Sequence, residues 1–215
     1  NVGCGNIKAR RIANISKING RMKGLSVLNQ LEKTIMIAGE DGIVSSFDMQ
    51  THHTIDVWAV GCEVTALATL SLEEGGFIVA ACTSKGDLII RQDWEELAPR
   101  KHECGHKTIN DVKFSNNGSM IVCASQDKHI YLLQLQEGEY VKLAGARLEN
   151  GVPNAINFSE DSKRILIITH LRKLILFDPI KLTMLYKVEE EELSSQFWSS
   201  FVGSYSLITK SISST

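Results

Sequence analysis

Between Lys101 and Asp111 the chain reads KHECGHKTIND, and His102, Glu103 and His106 within it spell H-E-x-x-H. On a helix, two imidazoles four residues apart share one face and can hold zinc, leaving the Glu to activate a water. The surroundings argue against that helix. Pro99 precedes the tract, Gly105 lies inside it, and the residues that follow, KTINDVKFSNNGSMIVCASQDKHIYLLQL, are short apolar segments separated by Asn-Gly and Asp-Lys turn signals, which predicts strands. Elsewhere His52-His53 has no further ligands at metal spacing, and Asp41-Gly42 and Asp127-Lys128 read as turns. No Gly-rich phosphate loop, nucleophile elbow or framed pair of acids is present, so no catalytic, cofactor-binding or metal-binding residue and no cofactor is expected.

The elements around these residues belong to a globular chain. It has 215 residues, 43% of them hydrophobic and 22% charged, with a formal net charge of −2, enough to bury a sizeable core. Apolar runs such as GFIVAAC and RILIIT are far shorter than the ~20 residues of a membrane span, and the near-neutral charge does not favour a nucleic-acid binder. Neither a membrane nor a nucleic acid is expected as partner. The five cysteines form no C-x-x-C pair. Cys82 and Cys123 lie in apolar runs where a thiol acts as a small buried hydrophobe, and a reducing, cytoplasmic location is expected. Charge is unevenly spread: residues 1–31 contain Lys8, Arg10, Arg11, Lys17, Arg21 and Lys23 and no acid, whereas Glu189 to Glu192 form an acidic run.

The chain repeats itself. EDGIVSSFDMQ, SKGDLIIRQDW, QDKHIYLLQLQ and HLRKLILFDPI each place a polar turn before a short apolar strand. With Phe47, Arg91, Leu133 and Phe177 as equivalents, the period falls in the range of about 40–45 residues that one four-stranded propeller blade occupies. Further apolar runs before and after each phrase supply the other strands. A blade of this kind cannot bury both faces alone and stacks on its neighbours. The chain is therefore expected to be all-β, with units at 22–60, 61–104, 105–148 and 149–192. Residues 1–21 would be a trailing strand and basic link of a preceding blade, and 193–215 the start of a further one.

The third unit, with Gly105-His106 at its opening and Ser125-Gln126-Asp127 closing its second strand, resembles the WD-repeat pattern. That resemblance implies a polar network in which the His donates to the turn Asp and a Ser and a strand Trp extend it. Here the Trp position is Leu133, leaving His106, Ser125 and Asp127, with Asp41 as the turn acid of the first unit. The WD dipeptide stands as Phe47-Asp48 and Phe177-Asp178 in two units and is absent from the other two.

The order of features is similar to that of the echinoderm microtubule-associated protein-like family. NVGCGNIKARRI resembles its VGT-x-x-N strand, the GHKTINDVKFSNNGSMIVCASQDKHIYLLQL blade is similar to its GH…SPDG…IYIY blade, and QFWSSFVG resembles a segment that starts a blade after an acidic link. The family's GIWP continuation is replaced by SYSLITKSISST. The resemblance implies a non-catalytic, cytoskeletal scaffold that binds proteins, tubulin dimers or microtubules among them, and a longer parent chain whose remaining blades complete the ring. Because tubulin is acidic, Lys8, Arg10, Arg11, Arg21 and Lys23 are the expected contact, with Trp94 as an aromatic anchor and Trp198 expected between blades. The competing expectation is an adaptor that presents substrates to a ubiquitin ligase or a similar complex through an Arg-lined face.

Overall fold

A computed structural model describes residues 20–27, 34–72, 76–92, 99–189, 196–202 and 206–212, with side chains described up to residue 187. Among these residues every regular element is a strand. Four consecutive antiparallel sheets follow one another along the chain. The first comprises β1 (Met22–Val27), β2 (Thr34–Gly39), β3 (Ile43–Asp48) and β4 (Thr54–Ala59), and the second β5 (Val64–Ser71), β6 (Phe77–Thr83), β7 (Asp87–Gln92) and β8 (Arg100–Glu103). The third is built from β9 (Ile109–Phe114), β10 (Met120–Ser125), β11 (His129–Gln136) and β12 (Glu139–Arg147), and the fourth from β13 (Pro153–Phe158), β14 (Ile165–Thr169), β15 (Lys173–Asp178) and β16 (Thr183–Glu189). A hairpin of β17 (Gln196–Val202) and β18 (Ser206–Ile212) follows.

Within each four-stranded sheet the strands pair in chain order, and the first strands β1, β5, β9, β13 and β17 are neighbours from sheet to sheet. This arrangement explains the sequence pattern. Second strands are covered on both faces, β6 and β10 by a sheet on either side, so β2, β6, β10 and β14 are buried at every position, and unbroken apolar runs suit them. Outer strands have a solvent edge: β4 and β12 are largely exposed, and such edges tolerate charge.

Three apolar cores fill the spaces between sheets. Met36, Val44, Leu67 and Val79 pack between the first and second, Leu88, Ile109, Ile121 and Leu133 between the second and third, and Val122, Ile130, Ile156 and Ile167 between the third and fourth. Fully burying one such side chain contributes roughly 1.5–3 kcal/mol.

The turns between second and third strands share one geometry. The N–H of Gly42, Gly86, Lys128 and Arg172 donates to the carbonyl three residues earlier, at 3.1, 3.2, 3.2 and 2.9 Å. All four residues have positive φ (70°, 91°, 72° and 60°), a region natural for glycine and unfavourable for other L-residues. At Gly42 a Cβ would also stand 2.7 Å from the Cys62 carbonyl oxygen.

A second repeated device joins the sheets. The first strand of each four-stranded sheet carries a bulge near its start, which leaves Lys23, Thr65, Asn110 and Asn154 as the extra residue. A bulge re-aims a side chain, and at Lys23, Thr65 and Asn110 it points it at the next sheet, whereas Asn154 is exposed. The Thr65 hydroxyl donates to the Ile109 carbonyl at 2.6 Å, and the Asn110 amide to the Pro153 carbonyl at 2.8 Å. Lys23 Nζ lies 3.7 Å from Glu63 Oε1, the residue before β5.

Candidate functional site

The H-E-x-x-H tract does not lie on a helix. His102 and Glu103 end strand β8, and His106 follows in the connection to β9 and is exposed. His106 lies three residues past the end of β8, so the two imidazoles are not stacked one helical turn apart as that zinc motif requires. Among the described residues no group of three or more His, Cys, Asp or Glu is placed to hold a metal ion. His102 is half-buried and its Nε2 has no hydrogen-bond partner. Burial first, and then the Arg100 charge, lowers its pKa. It lines an apolar groove with Leu72, Ile78, Ile90, Leu135 and Tyr140.

The polar network of the third blade forms around Asp127, with different members from those expected. Tyr131 supplies the hydroxyl that donates to Asp127 Oδ2 at 2.6 Å, and the His129 N–H donates to Oδ1 at 3.0 Å. The Asp127 N–H donates to Ser125 Oγ at 3.3 Å. His106 makes no hydrogen bond to Asp127 among the described residues. The physical reason lies in the strand register: His129, Tyr131 and Leu133 share one face of β11, so when Leu133 takes the apolar position the phenol two residues earlier fills the donor's place. Gly105 and Gly145 make room for it, since a Cβ on either would stand about 3 Å from ring carbons of Tyr131. The ring stacks on His129 with centroids 5.7 Å apart, and Lys142 Nζ sits 4.5 Å over it. Burial opposes the charge on Asp127, but the hydrogen bonds from Tyr131, Ser125 and His129 outweigh it and hold the carboxyl below the ordinary carboxylate range. Burial and then the Asp127 contact raise the Tyr131 phenol. In the first blade Asp41 is a turn acid whose Oδ1 accepts the Ile43 N–H at 3.2 Å.

Of the cations expected at a partner surface, Lys8, Arg10 and Arg11 lie outside the described residues, as does Trp94. Arg21 and Lys23 are at the entry to β1, next to acids. The Arg21 N–H donates to Glu40 Oε2 at 3.2 Å, and Lys23 Nζ is 3.6 Å from Glu40 and 3.7 Å from Glu63. The structure therefore commits Lys23 to this chain's own acids. Glu190 to Glu192 lie outside the described residues, and the side chains of Glu189 and of Trp198, in β17, are not among those described. Arg91, the strand arginine on which an Arg-lined face would have to draw, bonds Asp56 Oδ2 at 2.6 Å and lies 5.7 Å over the Trp58 ring. It joins the second blade to the first.

A set of residues not singled out from the sequence emerges at one end of the sheets. The turns between second and third strands and the connections between sheets lie together there. In the later blades they carry Lys85, Lys107, Lys128 and Arg172, all exposed, and in the first blade Glu40 and Asp41. Three of these stand in or beside the shared turn geometry of successive blades. The signal was present in the repeat, but it is visible only when the units are aligned on their turns instead of their strands.

Residues 99–133 match the family model described as WD domain, G-beta repeat. A search of curated proteins finds no match to the chain. The matched stretch takes in β8, the outer strand of the second sheet, followed by β9 and β10 and most of β11, so the sequence repeat is offset by one strand from the structural blade. With four successive antiparallel four-stranded sheets joined through their first strands, and that repeat in the middle of them, the fold is a WD-type β-propeller.

Proposed function

We propose that the protein is a non-catalytic scaffold of the cytoskeleton that binds tubulin dimers through the basic segment preceding β1. WD domains in general bind other proteins, and that much follows from the repeat itself. The finer reading is supported by the resemblance of the strand framework to the microtubule-associated family, and above all by one observation: residues 1–31 carry six cations and no acid. An acidic partner surface suits such a segment, and the attraction acts over a Debye length of about 8 Å at physiological salt. Because Lys23 lies beside Glu40 and Glu63, the contact falls to Lys8, Arg10, Arg11, Lys17 and Arg21. The reading places the protein in the cytoplasm, on the cytoskeleton.

The test is gel filtration of the chain with purified tubulin dimer at low and high salt. Co-elution at low salt that fades at high salt, and that is weakened by the combined substitution Lys8→Glu, Arg10→Glu and Arg11→Glu, is the expected result. Absence of co-elution at both salts removes tubulin as partner, and unchanged co-elution of the triple variant removes this segment as its site.

A further inference from the structure

We propose that Asn150-Gly151, in the connection between the third and fourth sheets, is a self-modifying site: the Gly151 amide nitrogen attacks the Asn150 side chain, and water opens the resulting ring to aspartate or isoaspartate. The proposal goes beyond the scaffold reading and depends neither on tubulin nor on the basic segment before β1.

The chemistry needs no cofactor. A backbone nitrogen that has given its proton to hydroxide bonds to Cγ of the preceding asparagine, the Cγ–Nδ2 bond breaks, and ammonia leaves as a five-membered imide closes. Water then adds to one of the two ring carbonyls. Cleavage of the new bond at Cγ leaves an aspartate in an unaltered main chain, whereas cleavage of the old peptide bond routes the chain through the side chain as isoaspartate. Water is consumed and ammonia released, with no change of oxidation state. Glycine after the asparagine favours the step, because no Cβ crowds the nitrogen and the backbone turns easily toward the ring.

The chain has three Asn-Gly pairs, at 19–20, 117–118 and 150–151. Asn19 lies outside the described residues, and the other two pairs are held in opposite ways. At the turn between β9 and β10 the Gly118 N–H, whose nitrogen would have to attack, donates to the Ser115 carbonyl at 2.9 Å. The Asn117 side-chain oxygen accepts from the Ser115 hydroxyl at 2.8 Å, from the Ser119 N–H at 3.2 Å and from the Ser119 hydroxyl at 2.8 Å. Both reacting groups are tied, and these bonds must break before they can meet.

Asn150-Gly151 has neither restraint. The chain is pinned on either side of it. The Leu148 N–H donates to the Lys128 carbonyl at 2.7 Å, the Val152 N–H donates to His170 Nδ1 at 2.9 Å, and the His170 N–H donates to the Val152 carbonyl at 2.9 Å. Between these pins Glu149 and Asn150 form a turn of the open kind, without a closing hydrogen bond, and the Gly151 N–H makes none among the described residues. Asn150 Nδ2 meets the Met184 sulfur at 3.6 Å, and a thioether is a weak acceptor. Exposure alone would choose the other pair, since Asn117 is exposed and Asn150 half-buried. Bonding of the two reacting groups sets the opposite order.

The place gives the conversion its effect. It adds a carboxylate beside Glu149 and, as isoaspartate, an extra main-chain carbon to the link that joins β12 to β13. The covalent connection between the third and fourth sheets thus changes in charge and length as the protein ages.

The experiment incubates the whole chain for weeks at mildly alkaline pH in water enriched in heavy oxygen. Samples are digested in acid, where the step is suppressed, and mapped by mass spectrometry with fragmentation that separates aspartate from isoaspartate. Asn150 should convert about tenfold or more faster than Asn117, as the cost of freeing a tied donor and acceptor implies, and both products should carry heavy oxygen. In the chain unfolded by urea, where neither pair is tied, the two rates should be alike. Ser119→Ala removes one bond from the Asn117 oxygen and should speed that site while leaving Asn150 as it was. Asn150→Gln, whose longer side chain would have to close a larger ring, should keep its peptide unconverted. Equal rates at the two sites of the folded chain, faster conversion at Asn117, or an Asn150 as long-lived as the folded Asn117 would overturn the proposal.

Discussion

Tyr131 brings its hydroxyl to Asp127 at 2.6 Å from the same strand face that carries Leu133 into the apolar core. One residue supplies the donor and another the packing, where a single Trp would supply both. From the sequence, Ser125 and Asp127 were legible as network members because turn chemistry fixes them; the donor was not, because strand register alone does not say whether a phenol or an imidazole reaches the acid first. Tyr131→Phe keeps the ring on His129 and removes one hydrogen bond to a carboxylate, and should lower unfolding stability by about 1–2 kcal/mol at neutral pH. The pH dependence follows from the sign of the Asp127 shift. A carboxyl held below its unfolded value of about 3.9 contributes stability that is complete above that value and is lost as pH falls through the folded one. Removing the Tyr131 bond raises the folded value, so the gap between native and variant should narrow in acid. Urea denaturation at pH 7 and near pH 3 measures it, and a gap equally wide at both would show that the bond is not to the ionised acid.

At the scale of the elements, the strands were readable where burial imposes a pattern. β6, β10 and β14, covered on both faces, announce themselves as unbroken apolar runs, and Gly42 and Gly86 mark their turns. The bulges were not readable, because Thr65 and Asn110 differ in type and act alike only through geometry. Thr65→Val keeps shape and β propensity and deletes the hydroxyl that donates to the Ile109 carbonyl. It should cost about 1–2 kcal/mol by urea denaturation, since that carbonyl then loses a partner at a joint between two sheets. A change within a few tenths would mean that water replaces the hydroxyl without loss and that the bulge does not join the sheets.

Across the whole molecule, apolar side chains fill the joints between sheets. Cys82, Cys104 and Cys123 are fully buried in the core between the second and third sheets, with Cys82 Sγ 4.0 Å from Cys123 Sγ, while Cys62 is half-exposed. Burial pushes the Cys82 thiol up, and the hydrogen bond to Cys123, followed by burial, does the same for Cys104. Thiolates being the reactive form, a disulfide reagent added to a Cys4→Ser variant at neutral pH should modify Cys62 promptly and the other three only at the rate of unfolding. Peptide mapping of the modified residues decides it; prompt labelling of Cys123 would show that the joint opens in the native state. The sequence already identified Cys82 and Cys123 as buried hydrophobes from the runs around them. Cys104 gave no such signal beside Gly105 and His106, because its burial comes from a neighbouring sheet and not from its own strand.

The bulge contacts all lean the same way along the chain: Lys23 toward Glu63, Thr65 toward Ile109, Asn110 toward Pro153. Other side chains reach back: the Thr69 hydroxyl donates to the Val27 carbonyl, Arg91 bonds Asp56, and the Lys142 ammonium donates to the Glu103 and Cys104 carbonyls. Each joint is therefore held by hands from both sides, like fingers interlaced. Damage to one unit should loosen the unit before it as well as the unit after it.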